Sequence, residues 1–133
     1  MKERRQKSIF IVEDNAGVAD SLVLLLVEEG YHVDLWVQGT DVSLSEPFPD
    51  LVLLDLLLGG TDGQTICRQI KCQEATRHIP VVLMSANKNT PRIAKEVGAD
   101  DWIMKPFELW SLLAILDTYM DQRQLIFDQE VLE

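Results

Sequence analysis

Leu51-Val52-Leu53-Leu54-Asp55 is the stretch from which the rest of the chain can be read. Four successive apolar residues leave no polar side, so the segment is predicted to be a strand covered on both faces, as in a parallel sheet, rather than one lying half in water. The same pattern recurs upstream at Ile9-Phe10-Ile11-Val12 and downstream at Val81-Val82-Leu83-Met84 and Trp102-Ile103-Met104. Residues 32–36 add a further strand. Helical patterns lie between these runs. Asp14 or Asn15 can cap a helix that runs to about Glu29 and stops at Gly30. A short helix is expected over residues 40–46, before Pro47-Phe48-Pro49, and another over residues 62–71, after a Gly59-Gly60 loop. Thr90-Pro91 reads as a cap followed by proline in the first helical position, with Gly98 closing that helix. The last helix is expected over residues 107–120.

Five strand-helix units in succession predict an α/β domain: a doubly wound, five-stranded parallel sheet with helices on both faces, because every parallel connection needs a crossover. In such folds the ligand site lies beyond the carboxyl ends of the strands. The polar residues that close the strands are therefore expected at one rim.

The 133 residues, 47% of them apolar, suit a single domain. Twelve Lys and Arg against twenty-two Asp and Glu give a formal charge of −10. A surface of that sign repels phosphate backbones and anionic lipid, so neither nucleic acid nor membrane is an expected partner. No apolar run approaches the roughly 20 residues of a membrane span, and residues 1–7 lack the apolar stretch of a secretory signal. A cytoplasmic location is expected. Cys67 and Cys72, five apart, match neither a redox nor a zinc spacing, and His32 and His78 are isolated.

Glu13 and Asp14 close the first strand, Asp55 the third, Ser85 the fourth and Lys105 the fifth. Each alone suits a cap, a turn or a solvated charge. Together they place three carboxylates at one edge, where like charges repel by about 4 kcal/mol per pair at about 4 Å and an effective dielectric near 20. A cation must sit among them. Lys105 supplies one charge, and the all-oxygen ligand set suits a hard divalent ion, Mg²⁺ above all.

These residues resemble the receiver domain of two-component response regulators. The likeness rests on five motifs in order: Val12-Glu13-Asp14-Asn15, Leu53-Leu54-Asp55, the loop from Leu58 to Asp62-Gly63, Met84-Ser85-Ala86 and Lys105-Pro106-Phe107. The resemblance implies a flavodoxin-like fold with strand order 2-1-3-4-5, formed by residues 8–120 between a basic N-terminal tail (1–7) and a C-terminal extension (121–133). It implies that Asp55 accepts a phosphoryl group from a phosphohistidine on a sensor histidine kinase or a histidine phosphotransfer protein. Asp14, Asp55 and the backbone carbonyl of Leu57 would hold Mg²⁺, with Glu13 reaching the ion mainly through water. Lys105 would pair with Asp55 and then with phosphoryl oxygens, to one of which the Ser85 hydroxyl would donate. The Lys105-Pro106 bond would be cis. The chemistry agrees: phosphoryl transfer asks for positioning and charge neutralisation, and an ionised carboxylate needs no general base.

Departures from the family pattern carry their own expectations. Gly59 stands where proline is common. Leu57 and Asn87 occupy positions that affect hydrolysis of the acyl phosphate, and since leucine cannot orient water a long-lived phosphoryl group is expected. Trp102 stands where a smaller aromatic or His is usual. The helix after residue 90 is expected to be short. In the first helix Val18, Leu22, Leu25 and Leu26 form the core stripe, leaving Val23, Leu24 and Val27 either to pack on the last helix or to form a docking patch. In the last helix Leu109, Leu112, Leu113, Leu116 and Met120 make the core stripe and Trp110 points elsewhere. No helix-turn-helix or catalytic segment is legible after it, so the output is expected from a separate downstream protein or a larger one containing this receiver, and a homodimer is compatible with the pattern. Two rival readings are a phosphorylation-independent interaction module, which the intact acidic set argues against, and an aspartyl-phosphate phosphatase, which needs a second Asp where Leu57 stands. The expectation is a signalling switch, not an enzyme.

Overall fold

The computed structural model describes residues 6–37, 40–58 and 61–120. Residues 1–5, 38–39, 59–60 and 121–133 lie outside the described residues, and with them the expectations for the basic tail, the Gly59-Gly60 segment and the C-terminal extension. The sheet strands are β1 (Ser8–Val12), β2 (His32–Leu35), β3 (Leu51–Asp55), β4 (Val81–Ser85) and β5 (Asp101–Met104). The helices are α1 (Ala16–Glu28), α2 (Gly63–Cys72), α3 (Thr90–Val97) and α4 (Leu109–Met120). A two-residue antiparallel pair, Leu57–Leu58 with Thr61–Asp62, lies apart from the sheet. All pairings in the sheet are parallel and the order is β2-β1-β3-β4-β5, as the family resemblance implies.

Strand alternation explains why both faces need cover. Phe10, Val12, Val52, Leu54, Val81, Leu83 and Trp102 pack on the side of α2 and α3, while Ile9, Ile11, Leu51, Leu53, Val82, Met84 and Ile103 pack on the side of α1 and α4. All five residues of β3 are buried, as are all five of β4. Each fully buried large aliphatic side chain contributes about 2 kcal/mol. Among the described residues no helix is long and apolar enough to cross a membrane.

Local chemistry sets the helix ends. The Asn15 side chain caps α1 by accepting from the Val18 N–H at 3.1 Å, and Gly30, at φ 98°, turns the chain out of it. The core stripe of α1 is Ala19, Leu22 and Leu26, with Val18 and Leu25 half-buried. Val23 packs on the α1/α4 core, but Leu24 and Val27 are exposed. In α4 Leu112, Leu116 and Met120 are buried and Trp110 is exposed, as expected.

Three local expectations are corrected. Residues 40–46 form no helix. In Asp41-Val42-Ser43-Leu44-Ser45 apolar residues alternate with a period of two, not 3.6, and Pro47 and Pro49 push their predecessors toward extended backbone. Val42, Leu44 and Phe48 therefore lie as an irregular cover over the α2/α3 side of the core, and the buried Trp36 indole donates to the Thr40 carbonyl at 3.0 Å. Second, Asn89 rather than Thr90 is the cap position of α3. Thr90 is buried inside the first turn, where its hydroxyl donates to the Asn87 carbonyl. Third, α4 begins at Leu109, since the first helical hydrogen bonds run from the Ser111 and Leu112 N–H groups to the Glu108 carbonyl.

At the amino ends of the strands the Lys71 ammonium, on α2, meets Asp100 at 2.5 Å and donates to the Ile79 carbonyl at 2.8 Å. Asp100 accepts from the Val81 N–H at 2.8 Å, and the Tyr119 hydroxyl of α4 donates to the Asp100 carbonyl at 2.8 Å. This clamp ties α2, β4, β5 and α4 together at the end of the sheet opposite the acidic residues.

Candidate functional site

Since β1, β3, β4 and β5 run in one direction, the residues that close them meet at one edge. Glu13 and Asp14 follow β1, Asp55 ends β3, Ser85 ends β4 and Lys105 follows β5. Carboxylate oxygens of Glu13, Asp14 and Asp55 lie within 4.8 Å of one another. Glu13 and Asp55 are buried and Asp14 is half-buried. At such separations each ionised pair costs about 3 kcal/mol at an effective dielectric near 20. The Lys105 ammonium answers part of that repulsion, lying 2.7 Å from Glu13 Oε1 and 3.0 Å from Asp55 Oδ2.

The remaining acceptors are held by backbone. Asp55 Oδ1 accepts from the Leu57 N–H at 3.0 Å, which fixes the carboxylate plane, and Glu13 Oε2 accepts from the Asn15 N–H at 3.3 Å. Ser85 is buried, and its Oγ accepts from the Asn87 N–H at 3.0 Å. The Lys105 N–H donates to the Ser85 carbonyl at 2.8 Å, so the last two members of the set are fixed to each other. Burial raises the proton affinity of Glu13, and Asp55 beside it adds to the rise while Lys105 opposes it. Burial alone would lower that of Lys105, but its hydrogen bonds to Glu13 and Asp55 prevail and raise it. The ammonium is therefore held charged.

The structure brings Glu13, Asp14, Asp55 and Lys105 together, with Ser85 at the same rim. Leu57 differs: its side chain is 84% exposed, and its backbone N–H is what meets Asp55. Trp102 is half-buried against the α2/α3 core. Two features escaped the sequence reading. One is that Lys105 binds Glu13 as well as Asp55. The other is Gly63: a β-carbon there would lie 2.5 Å from the Asp55 carbonyl oxygen and 2.8 Å from the Leu56 Cα. A glycine at the first helical position, where other residues favour helix more, was the available signal.

Beside Lys105 a mainly apolar groove of about 700 Å³ runs between α1 and the segment before α4, lined by Val18, Leu22, Leu25, Pro106, Phe107 and Leu109. As a donor set the three carboxylates offer only oxygen, which fits a hard divalent cation that keeps part of its water shell.

Comparison with known proteins agrees with this arrangement. The family model of the response regulator receiver domain matches residues 9–117. The DNA-binding response regulator MtrA of Mycobacterium tuberculosis is 37% identical over 118 residues, 86% of this chain and 50% of MtrA. The response regulator ArlR of Staphylococcus aureus is 40% identical over 111 residues, 80% of this chain and 49% of ArlR. The chain thus spans about half the length of these relatives. Among solved structures, the BeF3-activated N-terminal receiver domain of Klebsiella pneumoniae RstA superposes with a TM-score of 0.76 at 31% identity, covering 87% of this chain and 100% of that one.

Proposed function

The chain belongs to the response regulator receiver domain family, and on that premise we propose that it is a phosphoacceptor switch of a two-component or phosphorelay system. Asp55 accepts a phosphoryl group from a phosphohistidine on a sensor histidine kinase or a histidine phosphotransfer protein. The single observation that carries this reading is the shared ammonium: Lys105 lies within 3.0 Å of both Glu13 and Asp55 in a pocket of three clustered carboxylates. The receiver occupies residues 8–120, flanked by the basic tail 1–7 and the extension 121–133, and works in the cytoplasm.

In the transfer, an Asp55 oxygen attacks phosphorus as the bond from phosphorus to the donor imidazole nitrogen breaks. A P–O bond replaces a P–N bond, and the imidazole takes up a proton as it leaves. Lys105 pairs with the carboxylate beforehand and with a phosphoryl oxygen afterwards. The Ser85 hydroxyl turns from accepting the Asn87 N–H to donating to another. Asp14, Asp55 and the Leu57 carbonyl would hold Mg²⁺, with Glu13 reaching it through water, and the bound ion would neutralise the charge that gathers in the pocket. The groove beside Lys105 suits a helix of the phosphohistidine protein. The modification biases a two-state equilibrium in the β4-α3 region, with Trp102 on the neighbouring strand, and thereby changes protein contacts. With a formal charge of −10 we assign these residues no nucleic-acid or membrane contact of their own. The output comes from a downstream protein or from a further part of a longer chain.

Intact mass before and after incubation with acetyl phosphate and Mg²⁺ tests this. A single phosphoryl adduct on the wild type and none on Asp55→Ala is expected. No adduct, or an equal one on Asp55→Ala, overturns the reading.

A further inference from the structure

The Lys and Arg of the helices are sorted between the two faces of the sheet, whereas acidic residues lie on both, Asp41 and Glu46 flanking the cover over the α2/α3 side. Residues 8–62 contain no Lys or Arg, and neither do residues 106–120. The α1/α4 side therefore carries Asp20, Glu28, Glu29, Glu108 and Asp117 without a basic residue on either helix. Residues 63–97, which supply α2 and α3, hold six Lys and Arg against Glu74 and Glu96, a formal charge of +4 in a chain of −10. Lys71 is committed to Asp100 within the fold. Arg68 on α2, Lys88 before α3, and Arg92 and Lys95 on α3 are all exposed. Among the described residues, Arg68, Lys88 and Lys95 form no ion pair, and Arg92 meets only Glu96 at 3.8 Å in a solvated pair.

We infer that the α2/α3 face is a docking surface for an acidic segment of a partner protein, recognised by charge through Arg68, Lys88, Arg92 and Lys95. Arg68, Lys88 and Lys95 find no carboxylate partner among the described residues, and an acidic segment supplies one. The size of the patch selects a short protein segment over nucleic acid. At 1.5 Å per residue the ten residues of α2 span about 15 Å, the length of a few helical turns. A duplex lying across the patch would run past it onto surface of the opposite sign. This inference concerns the face away from the α1 groove and does not depend on phosphorylation of Asp55.

The test is a titration of the ¹⁵N-labelled chain with a short poly-glutamate peptide, without phosphodonor, followed by amide shifts and repeated at raised salt. Shifts concentrated at residues 65–72 and 88–96, weakening with salt, are expected. The triple variant Arg68→Glu, Arg92→Glu, Lys95→Glu is expected to bind about tenfold more weakly, three exposed ion pairs being lost. Shifts spread over the molecule or on α1 and α4 overturn the inference, as does equal affinity of a folded triple variant. Tighter binding of a short DNA duplex, or self-association in place of peptide binding, overturns it as well. The wild-type shift map decides even if the variant does not fold.

Discussion

Lys105 reaches Glu13 at 2.7 Å across 92 residues of sequence, and the same ammonium holds Asp55 at 3.0 Å. Glu13 has no solvent-exposed side-chain surface, so it depends on this partner for its charge. The lysine is a structural counter-ion for both carboxylates. Removing it leaves two buried carboxylates facing each other.

Lys105→Met is therefore expected to lower stability by roughly 3 kcal/mol, the cost of stranding a buried charge. Mg²⁺ at ten times its dissociation constant is expected to return about 1.4 kcal/mol. Thermal unfolding with and without the ion checks both, and a variant as stable as the wild type would refute the counter-ion role.

Gly63→Ala forces a β-carbon against the backbone of Asp55 and Leu56, which cannot yield as a flexible side chain would. A loss of about 1–3 kcal/mol is expected, together with slower phosphoryl uptake, because the displaced carbonyl belongs to Asp55, the proposed acceptor. Gly30→Ala is the control. It meets nothing within 4 Å but must hold φ near 98°, so it should lose about 1 kcal/mol and leave uptake intact. Denaturant titration and rates of adduct formation separate the two.

The exposed Leu57 side chain offers no polar atom beside Asp55. Leu57→Asn places an amide there that can orient water toward the acyl phosphate, so the phosphoryl group should decay several-fold faster. Phosphate-affinity electrophoresis over a time course checks this, and an unchanged lifetime would contradict it.

Cys67 is buried, and burial pushes its thiol up to about 11 from an ordinary 9.0. Cys72 is exposed. Ellman's reagent at pH 8 should thus titrate one thiol in the folded chain and two in denaturant. The raised value also fixes a sign. Below about pH 9 both states keep the Cys67 proton, whereas between 9 and 11 the unfolded chain loses it first, so stability falls as pH rises. Cys67→Ala should flatten that fall in an alkaline denaturation series.

Much of this architecture was legible because it is written in local patterns. The runs at Ile9, Leu51 and Val81 are apolar on both faces, and only a doubly covered strand satisfies that; Gly98 and Asn15 mark helix ends through their own backbone and side-chain chemistry. Asp14, Asp55 and Lys105 could be placed at one rim because parallel strands bring their ends together. What escaped depended on three-dimensional proximity. Neither the Glu13 to Lys105 bond nor the pressure of the Asp55 carbonyl on Gly63 has a counterpart in spacing. The helix expected over residues 40–46 failed for a local reason, the two-residue alternation of Val42 and Leu44, which outweighed the expectation that a crossover be helical.

The clamp of Lys71, Asp100 and Tyr119 has a mechanical meaning for whatever happens at the acidic rim. It pins one extremity of the sheet to two helices, α2 and α4, so displacement near Ser85 is opposed at that end. The far end acts as a fulcrum. The helix anchored there, α2, meets Asp55 with its opposite end at Gly63, so small shifts beside Asp55 move its first turn more than its Lys71 end.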